Sequence, residues 1–292
     1  MPPTLSLFIT SYNQCDYLRE AIDSVLAQTR RPDQIVIIDD ASSDNSQQLI
    51  QAYASEHPGL IVYALHDNNQ GVSATKSHAA SLCTSDLMTY LDGDDRMLPT
   101  RLETELQLLR ALPVQTIVFS DFRTIDSDGH IIADWAEGTA LPQGNTLDKL
   151  LARDYPKGIV YRNELMPRDL FKQVGGYDQK LNLYEDWDLR IRMATAGATS
   201  HFCAHLGSEY RLHPAGISRQ NPERHLDAVN HIRRKHQSTI DSLQTSQRIA
   251  ANLCFDRLEQ VFAKRAAQRS FRQLRFKDAL RFSLRAWSRQ AA

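Results

Sequence analysis

Short apolar runs alternate with amphipathic stretches along the first third of the chain. "LSLFIT" (5–10), "QIVIID" (34–39), "LIVYAL" (60–65) and "LMTYLD" (87–92) are short, and the pattern predicts strands. Between them, 16–27, 43–54 and 72–82 carry apolar positions at helical intervals. In the first of these helices Leu18, Ile22, Val25 and Leu26 form the buried face, Arg19, Glu20 and Asp23 the wet one, and Asp16 is placed to cap the N-terminus. Strand and helix in alternation predict an α/β fold with a mostly parallel sheet flanked by helices. Right-handed crossovers then bring the strand exits to one rim, where ligands bind. Read in order, those exits are Thr10 to Asn13, Asp39 to Ser42, Asp67 to Asn69 and Asp92 to Asp95, a polar and acidic crescent.

Past Pro99 the pattern predicts a helix to about Leu112, a strand "TIVFSD" and a turn at Ser127, Asp128 and Gly129 joining two antiparallel strands. Residues 134–158 read as irregular, "GGYD" (175–178) as a turn, and 186–196 as a helix stopped by Gly197. From Pro222 onward the apolar spacing is helical. The organisation expected is a catalytic domain over 1–222, divided near residue 98, and a helical extension over 223–292.

Composition adds an asymmetry. The 292 residues carry a formal charge of −1, which gives no general attraction for nucleic acid or membrane. Residues 1–223 nevertheless hold 19 Lys and Arg against 30 Asp and Glu, and residues 224–292 hold 15 against 5. "RRKH" (233–236) and "FRQLRFKDALRFSLRAW" (271–287) interleave basic with apolar residues. Such helices suit an anionic lipid surface, a partner such as a second copy, or the acidic catalytic domain itself. For 225–265 the expectation is docking on the catalytic domain; for the last stretch the choice stays open. The four cysteines show neither metal-ligand spacing nor a disulfide framework, and no apolar run approaches a membrane span. Together with an N-terminus that lacks a basic leader, this predicts a cytoplasmic protein, at most peripheral on the inner face of the membrane.

The chemistry concentrates in "DGDD" (92–95). Crowded carboxylates are costly unless something positive neutralises them, and Asp-x-Asp on a tight loop offers hard oxygen ligands to Mg²⁺ or Mn²⁺ shared with substrate phosphates. Gly93 is expected to let the backbone turn between them. Helix capping by one or two of these acids is the plainer alternative.

In order along the chain, "TSYNQCDYLREAIDSVLAQT" (10–29), "IVIIDDASSDNS" (35–46), "NNQGVSATKSHA" (68–79), "LDGDDRMLP" (91–99), "GGYDQKLNLYEDWDLRIRMATAG" (175–197) and "YRLHPAGISR" (210–219) resemble the family 2 glycosyltransferases. The resemblance spans roughly 4–219 and implies a GT-A, Rossmann-like fold and an inverting, metal-dependent transfer of sugar from a nucleotide-sugar donor, a UDP-sugar by preference, to a hydroxyl of a glycan or lipid-linked glycan. It assigns the nucleotide to Thr10, Tyr12, Asp40, Lys76 and Asp92, and the cation to Asp94, Asp92 and His213. It makes Asp186 the base, with Glu185 beside it or contacting the acceptor, Arg219 a phosphate contact on a closing loop, and Trp187 an acceptor contact. Asp39 is expected to order its loop and Ser42 and Asp44 to cap the next helix. Asp186 at a helix N-terminus is favoured as the ion, while Glu185 and Asp188 should raise its proton affinity. Trp135, Tyr155, Tyr161 and Tyr184 suit either sugar stacking or the core. Two alternatives are a sugar-nucleotide or glycan-binding module without turnover, and an Mg²⁺-binding phosphoacceptor signalling domain. The latter is disfavoured because a full strand and helix precede "IVIIDD".

Overall fold

A computed structural model describes residues 3–219, 221–273, 278 and 281–285. The first half contains β1 (Leu5–Ser11), α1 (Cys15–Leu26), β2 (Gln34–Asp39), α2 (Ser46–Glu56), β3 (Ile61–Leu65), α3 (Val72–Leu82), β4 (Leu87–Asp92), β5 (Arg96–Met97) and α4 (Arg101–Leu109). There follow β6 (Thr116–Ile125), β7 (Ile131–Asp134), α5 (Leu147–Ala152), β8 (Met166–Pro167), α6 (Arg168–Gln173), α7 (Glu185–Thr195) and β9 (Thr199–Arg211). Three helices follow β9: α8 (Pro222–Lys235), α9 (Gln237–Ser242) and α10 (Thr245–Arg272).

The first sheet has the order β3-β2-β1-β4-β8, parallel through its first four strands and closed by an antiparallel β8. Helices cover it, so β1 and β2 are buried along nearly their whole length and mostly apolar, as strands covered on both faces are. The order reverses between β1 and β4, which opens a crevice at their carboxyl ends. Register sets the level of that rim: Thr10 lies opposite Asp92 and Ser11 opposite Asp39.

A second sheet, β5-β9-β6-β7, pairs β6 with β9 in parallel and β6 with β7 as the expected hairpin. β9 is 13 residues long, and the sequence pattern does not announce it, because His201, His205 and Glu209 interrupt any apolar alternation. β5 directly follows "DGDD" and pairs with the far end of β9, Arg96 opposite Glu209. That short pairing carries the chain after β9 back to the acidic turn.

Two capping expectations, for Asp16 and Ser42, are corrected, and that for Asp44 holds. α1 begins after Gln14 with Asp16 in its first turn, and it is Asp44 that accepts from the Cys15 N–H at 3.0 Å. The same carboxylate accepts from the Ser46 N–H at 3.0 Å, so Asp44 serves two helix starts. Ser42 caps neither helix; it donates to Asp39 and accepts from the Asn13 N–H. Asp39 orders the loop as expected, accepting from the Ser42 N–H at 2.8 Å and from Gln47 at 3.1 Å. Residues 134–158, read as irregular, include the short helix α5.

The extension is not a loose tail. Leu226, Val229 and Ile232 of α8 and Phe255, Phe262 and Ala263 of α10 belong to the same buried cluster as Trp187, Leu150 and Leu189. Its basic residues meet acids of the catalytic part: Lys235 contacts Asp178 at 2.7 Å and Asp188 at 3.0 Å, and His236 meets Asp188 at 2.8 Å. Docking expected for 225–265 is what α8 to α10 do. Gln220 and, within the 271–287 stretch, residues 274–277, 279–280 and 286–287 lie outside the described residues. Among those described, no helix is long and apolar enough to cross a membrane, and all four cysteines are free.

Candidate active site

A cleft of 2930 Å³ opens over the carboxyl ends of β1, β2 and β4, and Thr10, Tyr12, Asp40, Lys76, Asp92, Asp94, Glu185, Asp186, Trp187 and Arg219 line it. His213 stands just behind, against Asp94. Segments far apart in sequence therefore converge as anticipated. Tyr12 is 47% exposed at the rim, an open aromatic face. Asp40 is buried and takes the N–H groups of Gln70 (2.8 Å) and Gly71 (2.9 Å) and a ring nitrogen of His66 (2.8 Å). His66 in turn meets His78 at 2.9 Å.

Inside the acidic turn the reason for glycine is closeness. A Cβ on Gly93 would lie 2.7 Å from the Thr10 carbonyl oxygen, which accepts the Gly93 N–H at 3.0 Å. The turn expected from glycine's conformational freedom is corrected accordingly: Gly93 is absent from the positive-φ positions.

The carboxylates are neutralised in large part by cations of the chain itself. Asp92 meets Lys76 at 3.0 Å through one oxygen and Arg162 at 2.9 Å through the other. Burial pushes its proton affinity up, but Lys76 and Arg162 outweigh that and hold it below the usual carboxylate range. Lys76 is not the rim lysine the sequence suggests. It is 3% exposed, bonded to Glu185 at 2.9 Å as well as Asp92, and sits 4.6 Å from the Tyr90 ring centre. Burial opposes its charge, yet Asp92 and Glu185 raise its pKa well above the ordinary value. Asp95 is buried, accepts the Arg211 N–H at 2.9 Å and lies 3.3 Å from Arg162. Burial, followed by the Asp94 charge, pushes it well up.

Glu185 and Asp186 open α7, which the chain enters through Tyr184 in a left-handed conformation, φ 62°. The two acids go opposite ways. Burial raises Glu185, with Lys76 acting against the rise. Asp186 is pushed up by burial but driven far lower by Arg190, then Lys76 and Arg162. One Asp186 oxygen takes Arg190 at 2.8 Å, one turn on, and the other the Trp187 N–H at 2.7 Å. The expected influence of Asp188 is overturned, because Asp188 points to the other side of the helix, to Arg192, Lys235 and His236.

Trp187 is also corrected. It is 1% exposed, donates to the Leu150 carbonyl at 2.8 Å and stacks on Phe255 at 5.3 Å, so it anchors α10. Trp135, Tyr155 and Tyr161 resolve as core. Sequence reasoning missed Arg162 and Arg190. Arg190 had a local signal, its i,i+4 spacing from Asp186. It is fully buried, grips Glu164 at 2.6 Å and receives no help from the spacing of that partner. Arg162, stacked 3.9 Å from the Tyr210 ring centre, had no local signal.

For a divalent cation the pertinent pair is Asp94 and His213, with Oδ2 and Nε2 2.9 Å apart. One carboxylate and one imidazole leave most of a coordination sphere to phosphate and water, so the donor set fits Mg²⁺ or, with its nitrogen, Mn²⁺. Asp92 is less available, since both oxygens face cations. Among the described residues the one group of three close metal-type ligands, Asp126, Asp128 and His130, lies on the β6–β7 turn. There Asp126 accepts the N–H groups of Asp128 and His130 at 2.9 Å, which is turn chemistry.

Residues 6–175 match the sequence model of glycosyl transferase family 2. The chain belongs to that family. An uncharacterised protein of Mycobacterium tuberculosis is 30% identical over 222 residues, covering 73% of this chain and 60% of the relative. An uncharacterised glycosyltransferase of Rickettsia felis is 27% identical over 215 residues, covering 72% of this chain and 34% of the relative. The chain thus spans about 60% of the mycobacterial relative's length. Among solved structures, residues 1–349 of Staphylococcus aureus TarS in complex with UDP-GlcNAc superpose with a TM-score of 0.62 at 13% identity, over 99% of this chain and 92% of that one. Such a likeness establishes a shared GT-A-like fold. In this family 2 chain the residues of α7, His213 and Arg219 fall beyond the matched segment.

Proposed function

We propose that the protein is an inverting, metal-dependent glycosyltransferase that moves a hexosyl or N-acetylhexosaminyl group from a UDP-sugar to a hydroxyl of a glycan or lipid-linked glycan. The observation that carries this reading is the arrangement of two acid groups about one cleft: Asp94 with His213 beneath the β4 exit, and ionised Asp186 with Arg190 at the start of α7. Family membership supports transfer, and the UDP-GlcNAc held by the TarS fragment supports a uridine donor.

Tyr12 offers a face for the base, and Thr10 lies beside it. The free lone pair of Asp40 Oδ2 can accept an N3–H of uracil, the other contacts on that carboxylate being the Gln70, Gly71 and His66 donors. Asp92, held by Lys76 and Arg162, faces the ribose. A cation held by Asp94 and His213 would supply Lewis-acid neutralisation of the departing diphosphate. Asp186 accepts the acceptor hydroxyl's proton as that oxygen bonds to the anomeric carbon, while the carbon–oxygen bond to the β-phosphate breaks and its electron pair leaves on UDP. Arg190 keeps Asp186 ionised and oriented until then. Arg219, on the short 3-10 turn Ile217–Arg219, is a phosphate contact from the loop side. A cytoplasmic location, peripheral to the membrane, belongs to the same proposal.

Asp186→Asn should retain UDP binding and lose transfer by about 100-fold or more, the range of a missing general base. Asp94→Ala should lose metal dependence and donor affinity together. Small and equal effects of both substitutions on UDP-sugar turnover, measured with Mn²⁺ present, would remove the role assignment.

A further inference from the structure

One wall of the cleft is neither donor site nor catalytic turn. α10 runs along it, burying Ala251, Phe255, Phe262, Ala263 and Ala266 against the protein. The neighbouring stripe of the same helix, which includes Arg257, Arg265, Arg269 and Arg272, lines the cleft. These arginines fall within about a third of the helix circumference at 3.6 residues per turn, a row about 22 Å long at ~1.5 Å per residue. Arg257, Arg265 and Arg272 are exposed, and no ion pair with a described residue engages them. Arg269 reaches Glu223 at 3.8 Å.

The contrast with the rest of the molecule is informative. Within the extension Arg233 meets Asp256 and Glu259, and where it docks on the catalytic part Lys235 meets Asp178 and Asp188. In the catalytic centre Asp92, Asp95, Glu185 and Asp186 each have a lysine or arginine against them. Along this stripe three arginines stand without an ion pair among the described residues, and they line the same concave space as Asp186. A planar bilayer cannot enter a concave wall, whereas a flexible chain can lie in it. Guanidinium groups are suited to phosphate through paired N–H donors.

We propose that the α10 stripe binds the acceptor, and that the acceptor is a phosphate-bearing glycan chain whose anionic groups lie along Arg257, Arg265 and Arg272 while one hydroxyl reaches Asp186. This deepens the transferase reading and rests on it. The phosphates can belong to a free polymer or to a lipid-linked one; the chemistry read by the arginines is the same. Each contact is electrostatic and solvent-facing, so affinity falls as salt rises.

The test uses the full chain and a fluorescent glycerol-phosphate oligomer as probe, followed by anisotropy at low and physiological salt. The variant Arg257→Gln/Arg265→Gln/Arg272→Gln should weaken binding at least tenfold. A control with the same charge loss away from the cleft, Arg31→Gln/Arg110→Gln/Lys264→Gln, should stay within twofold, and both should bind UDP as the parent does. Retained UDP binding separates the outcome from failure of the donor reading. Equal weakening by the two triple variants, no binding by the parent chain, or equal binding of an uncharged oligosaccharide would overturn the proposal. So would tighter binding of a ribo-oligonucleotide, which would make the stripe a nucleic-acid surface. Phosphatidylglycerol vesicles form a further arm: if the cleft triple loses vesicle binding while oligomer binding is unchanged, the surface is a membrane contact instead. With a lipid-linked glycerol phosphate in neutral vesicles, binding equal to the free oligomer identifies phosphate, and not lipid, as the recognised group.

Discussion

Lys76 shows what a single buried charge does here. Its ammonium lies within 3.0 Å of Asp92 and 2.9 Å of Glu185, out of contact with bulk water. Lys76→Met would leave the buried Glu185 facing the half-buried Asp92 with no cation between them, and breaking a buried pair in this way costs about 3–5 kcal/mol. Glu185, already pushed up by burial, should take a proton in response. Lys76→Met/Glu185→Gln should therefore recover much of the loss. Guanidinium titration reads this, and a loss under about 1 kcal/mol for the single variant would show that the pair is not a structural element. At this scale the sequence named Asp92, Asp94, Glu185, Asp186 and His213 as neighbours in one site. It could not name their partners. Arg162 is separated from Asp92 by 70 residues and Lys76 from Glu185 by 109, and no local spacing encodes such a meeting.

Among elements, α7 is the hinge of the arrangement because its two faces serve different ends. Asp186 faces the cleft; Asp188, buried two residues later, binds Lys235 and His236 and so fixes the end of α8. Burial pushes Asp188 up, but the hydrogen bond with His236 and the charges of Arg192 and Lys235 outweigh it and lower its pKa. A folded pKa below the unfolded value of about 3.9 gives stability that is present above that pH and lost as pH falls through the folded value. Asp188→Asn should thus cost about 3–5 kcal/mol at pH 7, in the range of breaking a buried ion pair, and should flatten the acid limb of the stability profile. Hydrogen exchange should quicken across 222–242. An acid limb unchanged in the variant would assign that sensitivity to Asp92 or Asp186 instead. The long helices were legible at this scale because apolar spacing is local, whereas the six-residue α5 and α6 offer too little of it, and β9 was not legible, since both its faces mix polar and apolar contacts.

For the whole molecule, the shared cluster joining Trp187 and Leu150 to Phe255 and Phe262 bears on whether 1–222 and 223–292 are separable. Removing everything after residue 222 would uncover that apolar surface, which at about 25 cal/mol per Å² is a heavy loss for a domain of marginal stability. A chain ending there should be expressed in aggregated form or melt without cooperativity. A monomer with a sharp transition would instead show two independent domains. The expectation that the basic extension and the acidic part attract one another was visible in charge alone. Which face docks, and that α10 leaves arginines over the cleft, was not.

The amino-acid sequence by itself determined the alternating strands and helices of the first half, the parallel sheet, the polar rim and the family, because each follows from local periodicity or from motifs read in succession. Tertiary structure decided how the charges are balanced, that Trp187 is an anchor and that Gly93 yields to the Thr10 carbonyl. Those outcomes depend on which distant groups share a few ångströms once the chain is packed, and low dielectric makes that sharing decisive.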